Sequence, residues 1–250
     1  TMADVRAVIE AARRVLFVHA HPDDETLATG GLIAALADAG VAVGVLTASR
    51  GEQGEIVPGA VPAGTDLALH REAEVAGACR ALGVRYGAFL GEPPARASGL
   101  APRRYTDSGM TWLDDEETVA GPGGTAGPDA LSLADPGEIA ADIAAGARDF
   151  GADLIVSYDD AGGYGHPDHV ALAAPSRAAA SELGVPFLEI ASTAGGAGWT
   201  LETPELLGRV REALAHYASQ LVVDGAEVVH VGGQRQAIQL VFTLRFPEIA

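Results

Sequence analysis

The sequence predicts an α/β protein with a mostly parallel sheet and helices on both faces. Two observations carry this. Short apolar, β-rich runs alternate with amphipathic Ala- and Leu-rich stretches over residues 14–190, the order of βαβ units. The apolar runs are also continuous rather than alternating, as strands buried on both faces require.

Arg14–Ala20 reads as the first strand and ends in His19-Ala20-His21-Pro22-Asp23-Asp24-Glu25. Thr29–Ala39 is a helix stopped by Gly40, and Val41–Thr47 is a second strand. Asp66–Leu82 is a helix ending at Gly83, followed by a strand over Tyr86–Leu90. Asp135 ahead of Pro136 marks the start of a helix running to Phe150. Leu154–Tyr158 is a fourth strand and runs into Gly162-Gly163-Tyr164-Gly165-His166-Pro167-Asp168-His169. A helix over Val170–Leu183 and a strand over Pro186–Ile190 close the Rossmann-like pattern. Glu205–Gln220 is then helical, and Glu227–Val231 and Ala237–Leu244 are two strands around Gly232-Gly233, expected as an antiparallel extension of the sheet. Pro93–Leu113 and Gly121–Asp129 lack periodicity and are expected as loops at the mouth of a site. No interdomain linker or repeat interrupts residues 1–250, so one domain is expected.

Composition narrows the function. The net charge is −18 and all 16 basic residues are arginine, so a phosphate backbone would be repelled and nucleic-acid binding is not expected. No apolar run is long enough to span a membrane, and Thr1–Ala12 carries Asp4, Arg6 and Glu10 where a signal peptide would be apolar. With Cys79 as the single cysteine, the chain is expected in the reducing cytoplasm.

In open parallel sheets, ligands bind beyond the carboxyl ends of the strands, where both His/Asp motifs fall. Imidazole and carboxylate donors without thiolate fit a catalytic zinc site with an open position, and the same set also suits ferrous iron. His21, Asp24 and His169 are the expected ligands. Asp23 is then free to act as general base on the hydrolytic water. A cationic His166 across the site would stabilise an oxyanion and protonate a leaving amine. The bland alternative is that Asp23-Asp24-Glu25 merely caps a helix. His19, His70, His216 and His230 are expected to be structural or surface residues.

Ala20–Glu25 and His166–His169 also match the two motifs of the PIG-L/LmbE-like zinc-dependent N-deacetylases, which the chain resembles over residues 14–185. The resemblance extends through Gly51–Glu55 and Arg104–Met110, stretches that point to the branch acting on N-acetylglucosaminyl-inositol. It implies the same metal ligands and base, adds Tyr164 as a mobile donor to the tetrahedral intermediate, and makes Asp168 an outer partner orienting a histidine. It further implies that Arg71, Asp107 and Glu55 hold sugar or inositol hydroxyls; an exposed Arg71 paired with Glu74 is the plain alternative. The expected partner is a small N-acetylated amino sugar. Alternatives are a larger amide, such as a mycothiol conjugate, an amino sugar of an antibiotic pathway, and a non-catalytic sugar-binding domain. The last is disfavoured because binding alone needs no Asp23 beside a ligand. Gly30-Gly31 lies too far past the strand for a phosphate loop, and no Gly-x-Ser-x-Gly elbow exists. Beyond about Phe187 the substrate-lining segments of that branch find no match.

Overall fold

Strands β1 (Arg14–His19) and β2 (Ala42–Thr47) bury alternate residues on opposite sides of one sheet, and the two resulting cores define the architecture. Val15, Phe17, Val43 and Val45 face one core, while Leu16, Val18 and Leu46 face the other. The computed structural model describes residues 1–115, 118–192 and 198–248.

In chain order, helix α1 (Met2–Ala11) precedes β1, and α2 (Asp24–Asp38) links it to β2. Helix α3 (Leu67–Leu82) leads to β3 (Tyr86–Phe89). A small antiparallel pair follows, β4 (Met110–Trp112) with β5 (Ala120–Pro122). Then come α4 (Pro136–Phe150), β6 (Leu154–Tyr158), α5 (Pro167–Leu183), β7 (Phe187–Ile190) and β8 (Trp199–Glu202). The remainder is α6 (Leu207–Leu214), β9 (Leu221–Asp224), β10 (Glu227–His230), β11 (Arg235–Ala237) and β12 (Val241–Arg245).

The main sheet has the order β3-β2-β1-β6-β7-β12-β8. Its first five strands are parallel, and β12 runs antiparallel to both β7 and β8. From β1 the chain proceeds outward to β2, and from β6 it proceeds the other way to β7. The carboxyl ends of β1 and β6 therefore flank the switch point of the sheet, where a crevice opens.

The predicted α/β pattern stands, with three differences. Helix α1 went unforeseen; it is capped by Thr1, whose side chain accepts from the Asp4 amide, and it seats Val5 and Ile9 in the core. The expected C-terminal strand over Ala237–Leu244 is two elements: β11 pairs with β10 in a separate three-stranded sheet, while β12 crosses back to extend the main one. The expected helix over Glu205–Gln220 is regular only through α6; Tyr217–Gln220 turns beneath the first motif instead. The expected mouth loops do approach the site, and they contain the β4–β5 pair.

Gly31 shows why the Gly30-Gly31 pair exists. A Cβ there would meet Thr203 Oγ1 and lie 2.9 Å from the buried Phe242 Cε2, so glycine lets α2 press against β12. Gly31→Ala is expected to lower unfolding free energy by about 1–3 kcal/mol through overpacking, read as a shifted denaturant midpoint. No described helix is long and apolar enough to cross a membrane.

Candidate metal centre and active site

The end of β1 turns sharply into α2 through Asp23, which has φ 102° and is the only non-glycine at positive φ among the described residues. Such backbone costs about 1–3 kcal/mol and tends to persist at functional sites. Asp23 occupies the N-cap position, yet its side chain makes no capping hydrogen bond. The helix-cap alternative therefore does not explain it. Enclosure and the adjacent Asp24 and Glu25 carboxylates push its pKa well above the usual range.

Asp24 is buried in the first turn of α2 and gathers the site around one oxygen. Its Oδ2 accepts from the His21 amide at 2.9 Å and from the Tyr158 hydroxyl at 2.9 Å. The same oxygen lies 3.2 Å from His21 Nδ1 and 3.1 Å from His169 Nε2. The second motif approaches from β6. Gly165, at φ 91°, brings the chain so close to β5 that a Cβ would sit 2.8 Å from the Ala120 carbonyl oxygen. Pro167 then opens α5, whose first turn carries Asp168 and His169.

Hydrogen-bond partners fix the tautomers. His169 Nδ1 faces the Gly162 carbonyl at 3.2 Å, so it carries the proton and leaves the Nε2 lone pair toward Asp24. His21 Nε2 lies 3.1 Å from Asp168 Oδ2 and 3.5 Å from Asp107 Oδ1, so Nε2 carries a proton and Nδ1 faces Asp24. Two lone pairs and a carboxylate oxygen thus converge, an arrangement that repels itself unless a proton or cation lies among them. Donor chemistry therefore fits a metal ion held by His21, Asp24 and His169. His166 also lies near, with donor atoms of His21, His166 and His169 all within 4.8 Å of one another. Its Nδ1 accepts from the Asp168 amide at 3.2 Å, so a neutral ring carries its proton on Nε2.

Burial opposes charge on His21, but Asp107, Asp168 and Asp24 outweigh it and hold its pKa well above the ordinary value. A metal ion taking Nδ1 must therefore displace a proton at neutral pH. Metal affinity is expected to rise about tenfold per pH unit until the pH passes that raised pKa, and calorimetry in buffers of different ionisation enthalpy would count the proton released. His166 behaves oppositely: burial, then His21 and His169, depress it to about 3. That direction favours a neutral ring over the cationic His166 expected from the sequence. His19 meets its expectation: it is fully buried, partnered on both nitrogens, and depressed to about 4 by burial.

The residues expected around the substrate are differently employed. Arg71 is neither an exposed helix residue nor free toward the crevice. It is fully buried, and its guanidinium donates to the carbonyls of Gly51, Gly54 and Glu55. The guanidinium expected at the sugar thus also supports the loop over residues 51–55. Asp107 joins the cluster itself, accepting from the Gly109 and Gln53 amides at 2.8 and 3.2 Å while facing His21. Burial raises its pKa, but His21 more than reverses this and draws it below the usual carboxylate range. Glu55 lies exposed on the loop, with its side chain free to meet a ligand. Asp168 accepts from the Ser108 amide and hydroxyl while facing His21 Nε2. Tyr164 is 41% exposed at the mouth, with its ring 5.3 Å from His169 and 5.7 Å from Trp112.

Two residues escaped sequence reasoning. Tyr158 ends the most ordinary of core strands, and Tyr217 lies in the C-terminal third, where its hydroxyl donates to buried Glu25. Nearby, the Ser219 carbonyl accepts from Val57 at 2.9 Å, so the C-terminal third braces the loop at the crevice. His70 and His230 have local partners only, Glu74 and Gln236.

The chain was compared with known families, proteins and solved structures. The family profile described as PIG-L, GlcNAc-PI de-N-acetylase, matches residues 16–180. A 1D-myo-inositol 2-acetamido-2-deoxy-alpha-D-glucopyranoside deacetylase of Kineococcus radiotolerans is 46% identical over 165 residues, 65% of this chain and 43% of that protein. A similarly described deacetylase of Saccharopolyspora erythraea is 39% identical over 180 residues, 70% of this chain and 56% of its own length. The chain thus spans about half the length of the curated relatives it matches. In fold it is similar to the N,N'-diacetylchitobiose deacetylase of Pyrococcus horikoshii, with a TM-score of 0.60, 18% identity, and coverage of 86% of this chain and 73% of that one. The zinc-inhibited form of teicoplanin deacetylase Orf2 aligns with a TM-score of 0.55 at 24% identity, over 83% of this chain and 84% of that one. With both motifs inside the matched region, the chain belongs to the PIG-L (GlcNAc-PI de-N-acetylase) family.

Proposed function

We propose that this protein is a zinc-dependent hydrolase that removes the acetyl group from an N-acetylated amino sugar, with N-acetylglucosaminyl-inositol as the favoured substrate. One observation carries the metal chemistry: His21 Nδ1 and His169 Nε2 both converge on the Asp24 carboxylate oxygen in a buried crevice. The deacetylases named among the relatives support the substrate class. Ferrous iron suits the same three donors and is the competing metal.

A divalent ion held by these residues supplies Lewis-acid polarisation of the acetyl carbonyl and lowers the pKa of water. The protein's own groups perform the rest. Asp23, unencumbered by a capping bond, takes the proton from the attacking water. It can then pass that proton to the departing nitrogen. His166 donates its Nε2–H to the oxyanion, and being neutral it does so as a hydrogen-bond donor rather than a counter-ion. Tyr164, at the mouth of the site, supplies a second hydroxyl donor. Loop 51–55, supported by Arg71, presents Glu55 to the sugar hydroxyls.

The test is acetate release by zinc-loaded protein from N-acetylglucosaminyl-inositol, N-acetylglucosamine, N,N'-diacetylchitobiose and a bulky amide conjugate. Preference for the inositol compound is expected. Turnover of the bulky amide alone would make the enzyme an amidase, and binding without turnover would make it a sugar-binding module.

A further inference from the structure

Tyr158, the last residue of β6, touches two of the three proposed metal ligands. Its ring lies parallel to the His169 imidazole, with centroids 4.2 Å apart and 6° between planes. Its hydroxyl reaches Asp24 Oδ2 at 2.9 Å. The hydroxyl oxygen in turn lies 3.2 Å from the Ala20 amide nitrogen and 3.2 Å from His19 Nδ1. Across that imidazole, His19 Nε2 lies 3.0 Å from Thr29 Oγ1. Tyr158 is 4% exposed, and His19 and Thr29 are fully buried.

Counting protons sets their direction. Tyr158 has one hydroxyl proton, and a carboxylate can only accept, so the phenol donates to Asp24. His19 must then offer Nδ1–H to the phenol oxygen, which leaves Nε2 to accept from the Thr29 hydroxyl. Thr29 also has the Glu25 carbonyl within 2.8 Å, so its link is the weakest of the chain.

We infer that Tyr158 is a positioning residue for the metal site, fixing Asp24 by its hydroxyl and His169 by its ring. His19 acts through Tyr158 by holding the phenol proton toward Asp24. The buried imidazole of the first motif thus has a task beyond satisfying the core. This inference rests on the reading of His21, Asp24 and His169 as ligands.

Metal affinity, rather than turnover, reads the effect. Chelator-stripped protein is titrated with zinc against a chromophoric competitor. Tyr158→Phe keeps the ring on His169 and loses only the hydroxyl, and it is expected to weaken zinc binding about 10–100-fold, the usual loss for an outer partner. His19→Phe is expected to weaken binding less, and to add nothing when combined with Tyr158→Phe, because it acts through that hydroxyl. Thr29→Val has the smallest effect. Ser157→Ala is the control: it removes the adjacent buried bond from Ser157 Oγ to the Val18 carbonyl, 2.9 Å, without touching a ligand, and should leave affinity unchanged. Parental affinity in Tyr158→Phe overturns the inference, as does an equal loss in Ser157→Ala or additive losses in the double variant. Should Tyr158→Phe fail to fold, parental affinity in His19→Phe overturns it instead. If the parent protein itself takes no zinc while remaining folded, the ligand reading fails, and the inference with it.

Discussion

Asp23→Asn is expected to lower acetate release about 10²–10⁴-fold while the purified protein keeps its full zinc content. Asparagine matches aspartate in size and tolerates left-handed backbone, so the turn at φ 102° survives. No capping bond is lost, because the Asp23 side chain makes none. The substitution also removes a carboxylate crowded by Asp24 and Glu25, whose repulsion contributes to its raised pKa. Folding stability should therefore hold or rise while the rate collapses. Turnover at saturating substrate, alongside metal analysis of the same sample, checks this. An unchanged rate removes Asp23 from the chemistry.

One residue further on, the same substitution should have the opposite signature. Asp24→Asn keeps an oxygen to accept from the His21 amide and the Tyr158 hydroxyl, so the turn into α2 persists. What it loses is the negative charge toward which both imidazoles converge. Zinc affinity is expected to fall by more than the ~10–100-fold typical of an outer partner, and activity should vanish with the metal. Added zinc at high concentration would restore part of the activity in Asp24→Asn and none in Asp23→Asn. Stoichiometric zinc in Asp24→Asn would contradict the ligand assignment. Adjacent carboxylates would thus separate into one that holds the metal and one that handles the proton.

Much of this was legible in the residues. The continuous apolar runs before both motifs announce strands buried on two faces, and a parallel sheet places their carboxyl ends together. Residues 145 apart therefore converge because topology demands it, as the contact between His169 and Asp24 illustrates. The remainder depends on contacts with no local signature. Arg71 gives no local sign of burial, which the carbonyls of a separate loop and the nearby Asp23 and Glu74 carboxylates make tolerable. Asp107 resembles any loop aspartate until the fold sets it 3.5 Å from His21. Tyr158 is indistinguishable from a core aromatic in sequence, since its partners come from β1 and α2. The β11–β12 break was hidden because a continuous polar–apolar run does not record a strand's change of sheet.

The C-terminal third gains its meaning from the same contacts. Tyr217 reaches Glu25 of the first motif, whose carboxyl burial raises to a pKa of about 7 despite the hydrogen bonds from Thr26 and Tyr217. Ser219 binds both Glu74 of α3 and the loop ahead of it. A segment with little resemblance to the matched family region thus supports that region's loops.

The most direct test is anomalous diffraction at the zinc edge from crystals of the zinc-loaded protein. A single peak is expected, with imidazole nitrogens at about 2.0–2.1 Å and a carboxylate oxygen at about 2.0–2.2 Å, supplied by His21 Nδ1, His169 Nε2 and Asp24. His166 Nε2 should remain outside that shell. A peak seated instead among Asp107, His166 and Asp168, or none in zinc-saturated crystals, would contradict the account.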